Sequence, residues 1–308
     1  MPITMKNIYC LFLLIFLLTS CASKKNAESY SIKIMSFNIW KGGGKSIGKT
    51  AEVFVASGAD IIGVQEAYDR NSNKVKYIAD SLGWYYFENS RSQTVISKYP
   101  IVDTSANNNG VKVRINERHF VWIFNVHLNH CPYEPYQLNN IEYCGGPFLT
   151  TEEEAVKSAK ATREKQVRSN IEDILEVIKE GYPIFVTGDF NEPSFLDWTD
   201  KATKAGLCKI PVMWPSTRMF IQEGGMQDSY RTIYPDEVAK PGHTWTPLPE
   251  TRKYTEVFDR IDFVLFSGNN IKVVKSQLLG EDSPLSDIKF NDYPSDHRAV
   301  LSSFIIGK

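Results

Sequence analysis

The sequence carries almost no net charge: 35 Lys and Arg stand against 36 Asp and Glu, a formal −1. It therefore lacks the basic excess of a protein that lives on a long polyanion, where phosphate neutralisation supplies most of the affinity. That balance argues against long nucleic acid as the main partner, though a local basic patch fits inside a neutral total. Cysteine is scarce, five in 308 residues. His127, His130 and Cys131 hint at zinc, but structural zinc takes four ligands at defined spacing, and only Cys144 stands nearby. The glycine run Gly42-Gly43-Gly44 before Lys45-Ser46 lacks the leading glycine of a phosphate loop, whose place holds Ile39. Those glycines are better read as backbone freedom beside Asn38. Long apolar runs are missing too. Residues 11–18 (LFLLIFLL) are too short to span a bilayer comfortably.

That run has a different reading. Lys6 precedes it, and Leu18-Thr19-Ser20-Cys21 resembles a bacterial lipobox. The expectation is a lipoprotein signal peptide over 1–20, a lipidated Cys21 with a polar tether over 21–29, and one domain over 30–308. An ordinary cleaved signal or a short anchor is the alternative. The tether carries two Lys and no acidic run, so the protein is expected to be exported and lipid-anchored, facing the periplasm from the outer membrane. In an oxidising compartment Cys131 and Cys144 could close a short loop, worth about 3 kcal/mol. Cys208 would then be single and buried. Three reduced thiols are the alternative.

After the tether no linker or low-complexity segment appears, and 42% hydrophobic residues is enough for a core. Residues 31–40 alternate like a half-buried strand. Helical patterns cover 49–57, closed by Gly58, then 75–82, and 151–180 with Thr150 or Thr151 as cap. Strand-like runs cover 61–65, 84–88, 94–97, 111–115, 120–128, 183–187, 261–266, 271–278 and 299–306. Residues 192–249 read as loop. Many strands with few, external helices predict an α+β sandwich.

Polar clusters end or interrupt these strands: Asn38 (SFNIW), Gln65-Glu66 (VQE), His127 (NVHL), Asp189 and Asn191 (TGDFNEP), Asp262 (DRIDFVL), and Ser295-Asp296-His297 (PSDHRAV). Any one alone is more simply a cap or turn. Together they fit phosphoester hydrolysis. A hard divalent cation wants oxygen ligands, which Glu66, Asn38 and Asp296 can supply. His297 suits a general base, because imidazole titrates near neutral pH, and Asp262 can orient it. Asp259 competes for that place, although beside Arg260 it reads more simply as a surface or supporting ion pair. His127 can bond a phosphoryl oxygen or help the leaving group. Asp189 can protonate the leaving oxygen or position water. Asn191 can donate to the phosphoryl oxygen or polarise the nucleophile.

This set, in this order, resembles the endonuclease/exonuclease/phosphatase superfamily, with its deoxyribonucleases, abasic-site endonucleases, inositol-polyphosphate phosphatases and bacterial sphingomyelinases. The resemblance spans about residues 30–306. It implies a four-layer α/β/β/α sandwich of two mixed β-sheets between helices, Glu66 as principal Mg²⁺ ligand, and an Asp262–His297 pair. Mn²⁺ or Ca²⁺ are alternative ions.

Where that family often places a Tyr or Arg before Ser-Lys-Tyr-Pro, Arg91 stands here, as a phosphate ligand or a solvated surface residue. An aromatic insertion over 130–149 follows His127. Its Tyr133, Tyr136 and Tyr143 could wall a pocket or pack the loop down. His243 (PGHTWT) is a candidate substrate contact at the rim, or a plain loop histidine like His119. The expected activity is hydrolysis of a small-molecule or lipid-headgroup phosphoester by water, without a covalent intermediate, by a monomer. A secreted-type nuclease acting on DNA or RNA is the alternative.

Overall fold

The alternation in residues 31–40 becomes the strand Tyr30–Asn38. Its Ile32 and Ile34 enter one core, and its Met35 and Phe37 enter another on the opposite face. The strand is covered on both sides along its inner half, so the expectation of half-burial holds only at its start. The computed structural model describes residues 29–69, 72–90, 92–248 and 256–307. The signal-like segment, Cys21 with its tether up to residue 28, and Arg91 lie outside the described residues.

Among the described residues two large mixed sheets form. One has seven strands, in the order Ile288–Lys289, Ile271–Gly280, Ala299–Ile306, Tyr30–Asn38, Ile61–Gln65, Gln93–Ser97, Tyr85–Ser90. The other has six: Gln227–Asp228, Asp262–Ser267, Ile184–Asp189, Phe120–His127, Gly110–Arg114, Ile101–Thr104. Tyr30–Asn38 runs antiparallel to Ala299–Ile306 and parallel to Ile61–Gln65. Ile184–Asp189 runs parallel to Phe120–His127 and antiparallel to Asp262–Ser267.

The inner faces meet through Ile34, Val95 and Phe304 of one sheet and Ile123, Phe185 and Phe266 of the other. Val53, Phe54 and Ile78 of the helices Ile47–Ser57 and Lys74–Leu82 cover one outer face. Val167, Ile171 and Ile174 of Glu152–Val177, with Phe220 of Pro215–Gln222, cover the other. Each buried aliphatic or aromatic side chain contributes roughly 1.5–3 kcal/mol. The result is the four-layer α/β/β/α sandwich.

Local signals set the helix ends. Ser46 caps the first long helix through Lys49 N (3.2 Å), and Gly58 closes it at φ 66°. Thr151 and Glu154 form a capping box. The long helix stops at Val177, and a single 3₁₀ turn, Ile178–Glu180, replaces the expected last turn. Residues 192–249 are less irregular than expected: Asp200–Lys204, Pro215–Gln222 and Ser229–Ile233 are helical. At five to eight residues they are too short for a 3.6-residue period to show. Ile101–Thr104 escaped prediction because three of its four side chains are exposed, which erases any alternation.

Cys131 and Cys144 are joined in a disulfide with their Cα atoms 5.9 Å apart. Cys208 is half-buried beside Thr203, and burial pushes its thiol up to about 11. The disulfide closes the insertion over 130–149. Arg163 of the long helix, fully buried, fastens its start. It donates to Asn129 O (2.9 Å), Pro132 O (2.6 Å) and Glu134 Oε2 (2.8 Å). No helix among the described residues is long and apolar enough to cross a membrane.

Candidate active site

Strand register assembles the site. In the six-stranded sheet Asp189 pairs with His127 on one side and Asp262 on the other, so three polar side chains share one row. In the seven-stranded sheet Asn38 pairs with Gln65, which places Glu66 one residue beyond the strand end. Ala299–Ile306 antiparallel to Tyr30–Asn38 brings Asp296 and His297 to the same end.

His297 is buried, and its Nδ1 lies 2.9 Å from Asp262 Oδ2. Its Nε2 is 3.8 Å from Asp189 Oδ2 and 3.5 Å from Asn38 Nδ2. Burial would lower its pKa, but Asp262, Asp189 and Asp296 outweigh it and push the imidazole up to about 10. Asp262 is itself raised by burial, although His297 opposes this. Its backbone N donates to Thr244 Oγ1 (3.1 Å). Asp189 accepts from Asn38 Nδ2 (2.9 Å) and Asn191 N (2.8 Å), and sits 3.6 Å from His127 Nε2.

Glu66 and Asn191 hold left-handed backbone, φ 55° and φ 46°, costly for residues other than glycine. Glu66 is held there from outside: Oε2 accepts from Lys41 N (2.7 Å), and its carbonyl from Gly42 N (2.7 Å). Gly42 (φ 70°) admits no side chain, since a Cβ would stand 2.4 Å from Asp69 N. The glycine run therefore shapes the loop beside Asn38, as expected.

Asn38, expected as an oxygen ligand, turns Oδ1 to Trp40 N (3.0 Å) and donates from Nδ2 to Asp189 and Glu66. It bridges the two carboxylates. Asp296 keeps a buried Oδ1 with no hydrogen-bond partner, and burial raises its pKa, with His297 opposing this and Glu66 adding to it. Ligand atoms of Asp189, Asp262 and His297 also lie within 4.8 Å of one another. The donor set of carboxylates and imidazole, with two orphaned carboxylate oxygens, Asp296 Oδ1 and Asp262 Oδ1, fits a hard divalent cation. The other cluster with metal-ligand spacing, His130, Cys131 and Cys144, has its two sulfurs joined to each other, which removes the zinc alternative.

A cleft of about 640 Å³ opens over these groups, lined among others by Trp40, Glu66, Asp189, Asn191, Asp296 and His297. His127 lines it too, 15% exposed in its side chain. His243 does not line it: it is half-buried against Phe258, with Arg298 donating to its carbonyl. Two residues along the same segment, Trp245 does, its ring 4.8 Å from that of His297. Tyr133 and Tyr136 are buried, and their hydroxyls donate to Asp259 and Glu256. Both expected uses of these rings are present, since they pack the insertion down and line a small pocket off the cleft.

Asp259 is not a surface partner of Arg260. Arg260 is buried and pairs with Asp197 (2.8 Å) and Asp228 (2.7 Å).

Some contributors went unread in the sequence. Ser295 Oγ donates to Asn38 O (2.6 Å) and accepts from His297 N (3.0 Å), tying the ends of two neighbouring strands of the seven-stranded sheet together. Its place two residues before His297 was the available signal. Trp245 carried none beyond its neighbours, and His130 was read only as a hint of zinc.

Two mixed sheets face to face, with an Asp–His pair and clustered carboxylates at one end, define the DNase-I-like class of hydrolases. Residues 35–297 match the Endonuclease/Exonuclease/phosphatase family, and the chain belongs to it; members are hydrolases acting on phosphoester bonds. The chain is similar to an uncharacterized protein of Caenorhabditis elegans, 30% identical over 327 residues, covering 96% of this chain and 98% of that one. Solved structures sharing the fold include truncated Caenorhabditis elegans TDP2, with a TM-score of 0.54 at 19% identity over 89% of this chain and 97% of that one. The human Nocturnin catalytic domain with bound sulfate anion gives 0.55 at 14%, over 90% and 97%. A family protein of Bacteroides thetaiotaomicron gives 0.54 at 16%, over 91% and 100%.

Proposed function

We propose that the chain is a Mg²⁺-dependent phosphoesterase that hydrolyses a small-molecule or lipid-headgroup phosphoester, with Mn²⁺ or Ca²⁺ as alternative ions. The observation that carries this reading is Asp296 Oδ1, a buried carboxylate oxygen without a partner, in the field of Glu66. Such an oxygen is costly unless a cation or proton takes it. A bound cation supplies charge withdrawal from the phosphoryl oxygens. The residues of the chain do the rest. His297, oriented by Asp262, takes the proton of the attacking water in the neutral form that a bound cation would favour by offsetting the carboxylates that hold its pKa up. Asp189, already accepting from Asn38 and Asn191, holds that water in place. His127 and Asn191 donate to the phosphoryl oxygens.

The full chain should hydrolyse bis(p-nitrophenyl) phosphate with Mg²⁺ and stop in EDTA; full activity in chelator refutes the metal claim. The nuclease reading has one observation behind it. A polar groove of about 720 Å³ shares His127 and His130 with the cleft. Among the described residues its lining holds Lys165, and plasmid DNA in the same assay tests it. The Cys21 lipid anchor, facing the periplasm, belongs to the same proposal. Cys21→Ser should release the protein from membranes, and unchanged fractionation would count against it.

A further inference from the structure

Two loops leave neighbouring strand ends at the site. Phe120–His127 and Ile184–Asp189 run parallel, with His127 paired to Asp189. The first loop carries His130 to the cleft, and the second carries Asn191. Behind both, on the long helix Glu152–Val177, stands Arg163, fully buried and outside the cleft lining. Its Nε and Nη2 donate to Asn129 O and Pro132 O of the first loop. Its Nη1 donates to Glu134 Oε2 (2.8 Å) and lies 3.6 Å from Glu192 Oε2 of the second. One planar guanidinium therefore touches both loops, and its rigid fork fixes the directions of these contacts together.

Glu134 and Glu192 are fully buried as well, and each has a further anchor. Glu134 Oε1 accepts from Ser158 Oγ (2.8 Å), on the same helix as Arg163. Glu192 accepts from Ser216 N (2.6 Å) and Ser216 Oγ (2.9 Å), in the first turn of Pro215–Gln222. Among the described residues two buried carboxylates thus share one guanidinium. Burial pushes the Glu192 carboxyl up to about 7, with Arg163 and Ser216 opposing this and Glu134 adding to it. Stability alone does not call for such a set, since well-packed apolar side chains of like volume hold a core as well as a buried ion triad, or better. What the triad adds is direction.

Direction matters at Asn191. It holds φ 46°, and a residue other than glycine keeps such backbone only where its surroundings over-determine it. On one side Asp189 Oδ1 accepts from Asn191 N (2.8 Å). On the other, the next residue is Glu192, held by Ser216 and Arg163. The Asn191 amide also donates to Leu128 O (3.1 Å) of the first loop. Asn129, next along, is stitched to the long helix through Gln166 Oε1 (3.0 Å) and Thr162 O (3.1 Å). The contacts close a ring that runs from Arg163 through the first loop, Asn191 and Glu192 back to Arg163.

We propose that Arg163 is a positioning residue for the reaction: through Glu192 on one side and the carbonyls of Asn129 and Pro132 on the other, it sets the spacing of the two loops and so the placement of Asn191 and His127 on the phosphoryl group. The inference rests on the phosphoesterase reading and deepens it.

The test uses two variants of the full chain. Arg163→Lys keeps the charge and removes the fork. Glu192→Gln keeps the shape and leaves the Arg163–Glu134 pair in place, so it remains readable if the first variant does not fold. Each is assayed on bis(p-nitrophenyl) phosphate with Mg²⁺, well below its own Tm, so that folded protein alone is read. Here kcat should fall by about 10- to 100-fold, the size of a misplacement of up to an ångström, with KM nearly unchanged. A lower Tm with an unchanged kcat means a merely structural role; it overturns the proposal and leaves the phosphoesterase reading standing. A double-mutant cycle reads the route. Glu192→Gln should change kcat little once Asn191→Ala is present, and an equal fold-loss in both backgrounds overturns the proposal. If the parent chain turns over no ester, the phosphoesterase reading falls, and hydrogen exchange still reads the ring. Arg163→Lys should speed exchange over residues 128–131 and 190–192 together, ahead of the sheet strands. Faster exchange in one loop only, or in neither, overturns Arg163 as the link between them.

Discussion

Replacing Asp262 by Asn removes one charge from the centre of the site and keeps the shape. Asp262 is wholly buried, and its Oδ2 lies 2.9 Å from His297 Nδ1. Its carboxylate fixes the tautomer that leaves Nε2 facing Asp189, and it stabilises the imidazolium formed when His297 takes a proton. At an effective dielectric near 20, unit charges about 4 Å apart interact by about 4 kcal/mol. A tenfold change in rate is about 1.36 kcal/mol, so the lost charge alone accounts for about three orders of magnitude. An amide that donates to Nδ1 selects the wrong tautomer and adds to the loss. We therefore expect kcat on bis(p-nitrophenyl) phosphate at saturating Mg²⁺ to fall by about 10³–10⁴-fold, with little change in KM. The fold should survive, because the amide fills the same space and relieves a site crowded with Asp189, Asp296 and Glu66. The thermal midpoint should stay within about 5 °C. A folded variant with a rate within about tenfold of the parent would refute the Asp262–His297 pair as the proton-transfer unit.

The remaining expectations are briefer. Mg²⁺ at about 100 times its Kd should stabilise the chain by about 2.7 kcal/mol, and Glu66→Gln should lose most of that; an undiminished thermal shift excludes Glu66 as a ligand. Gly63→Ala places a Cβ 1.9 Å from Thr187 Oγ1 and 2.5 Å from Asn125 Oδ1, so it should cost about 2–3 kcal/mol in urea unfolding; a neutral effect would show that the sheets can part there freely. His243 is held down to about 4, first by burial and then by Arg298, Arg231 and Arg260. Its neutral form is favoured in the fold, so the stability it contributes is present above pH 6.5 and lost as pH falls toward 4. The fall from 6.5 to about 4, at about 1.36 kcal/mol per pH unit, sets a ceiling of about 3 kcal/mol. The parent should lose up to that much more than His243→Gln over the interval, and parallel curves would remove His243 as the source.

The sheet-forming half of the molecule was legible because its strands alternate or run apolar and end on polar residues. Asp189, His127 and Asp262 could be named from sequence because each closes or opens such a strand. What sequence does not encode locally is register. That Asp189 lies between His127 and Asp262 follows from pairing across 62 and 73 residues of chain. The roles of the donors were illegible for the same reason. Asn38 reads as an oxygen ligand, but the sequence does not show that its oxygen also accepts from Trp40 N and that its amide bridges Asp189 and Glu66. In Pro-Gly-His-Thr-Trp-Thr the histidine is the conspicuous chemical residue, yet Trp245 reaches the cleft. Asp259 illustrates a third limit: Arg260 adjoins it in sequence, but their side chains part to different partners.

The site lies on a seam, and that placement sets a requirement that an apolar interface alone does not meet. Asn38, Glu66 and His297 belong to one sheet end, and His127, Asp189 and Asp262 to the other. An apolar sheet–sheet contact tolerates small sliding, whereas a proton-transfer pair 2.9 Å apart does not. A buried polar lock spans the seam just below the site. Asn125 of the six-stranded sheet donates to Val64 O (2.9 Å) and Thr94 O (3.1 Å) of the seven-stranded one. It accepts from Gln65 Nε2 (2.6 Å) and Thr187 Oγ1 (3.0 Å). Gln65 in turn donates to Ser36 Oγ (3.3 Å). Such directional bonds are worth little in net stability, about 1 kcal/mol each, but a shift of an ångström breaks several together and leaves buried amides unpaired. The lock therefore fixes the alignment of the sheets. Gln65, next to Glu66 in the chain, is both part of that lock and the last strand residue before the carboxylate. Catalytic geometry in this chain thus depends on uncharged residues that touch no substrate.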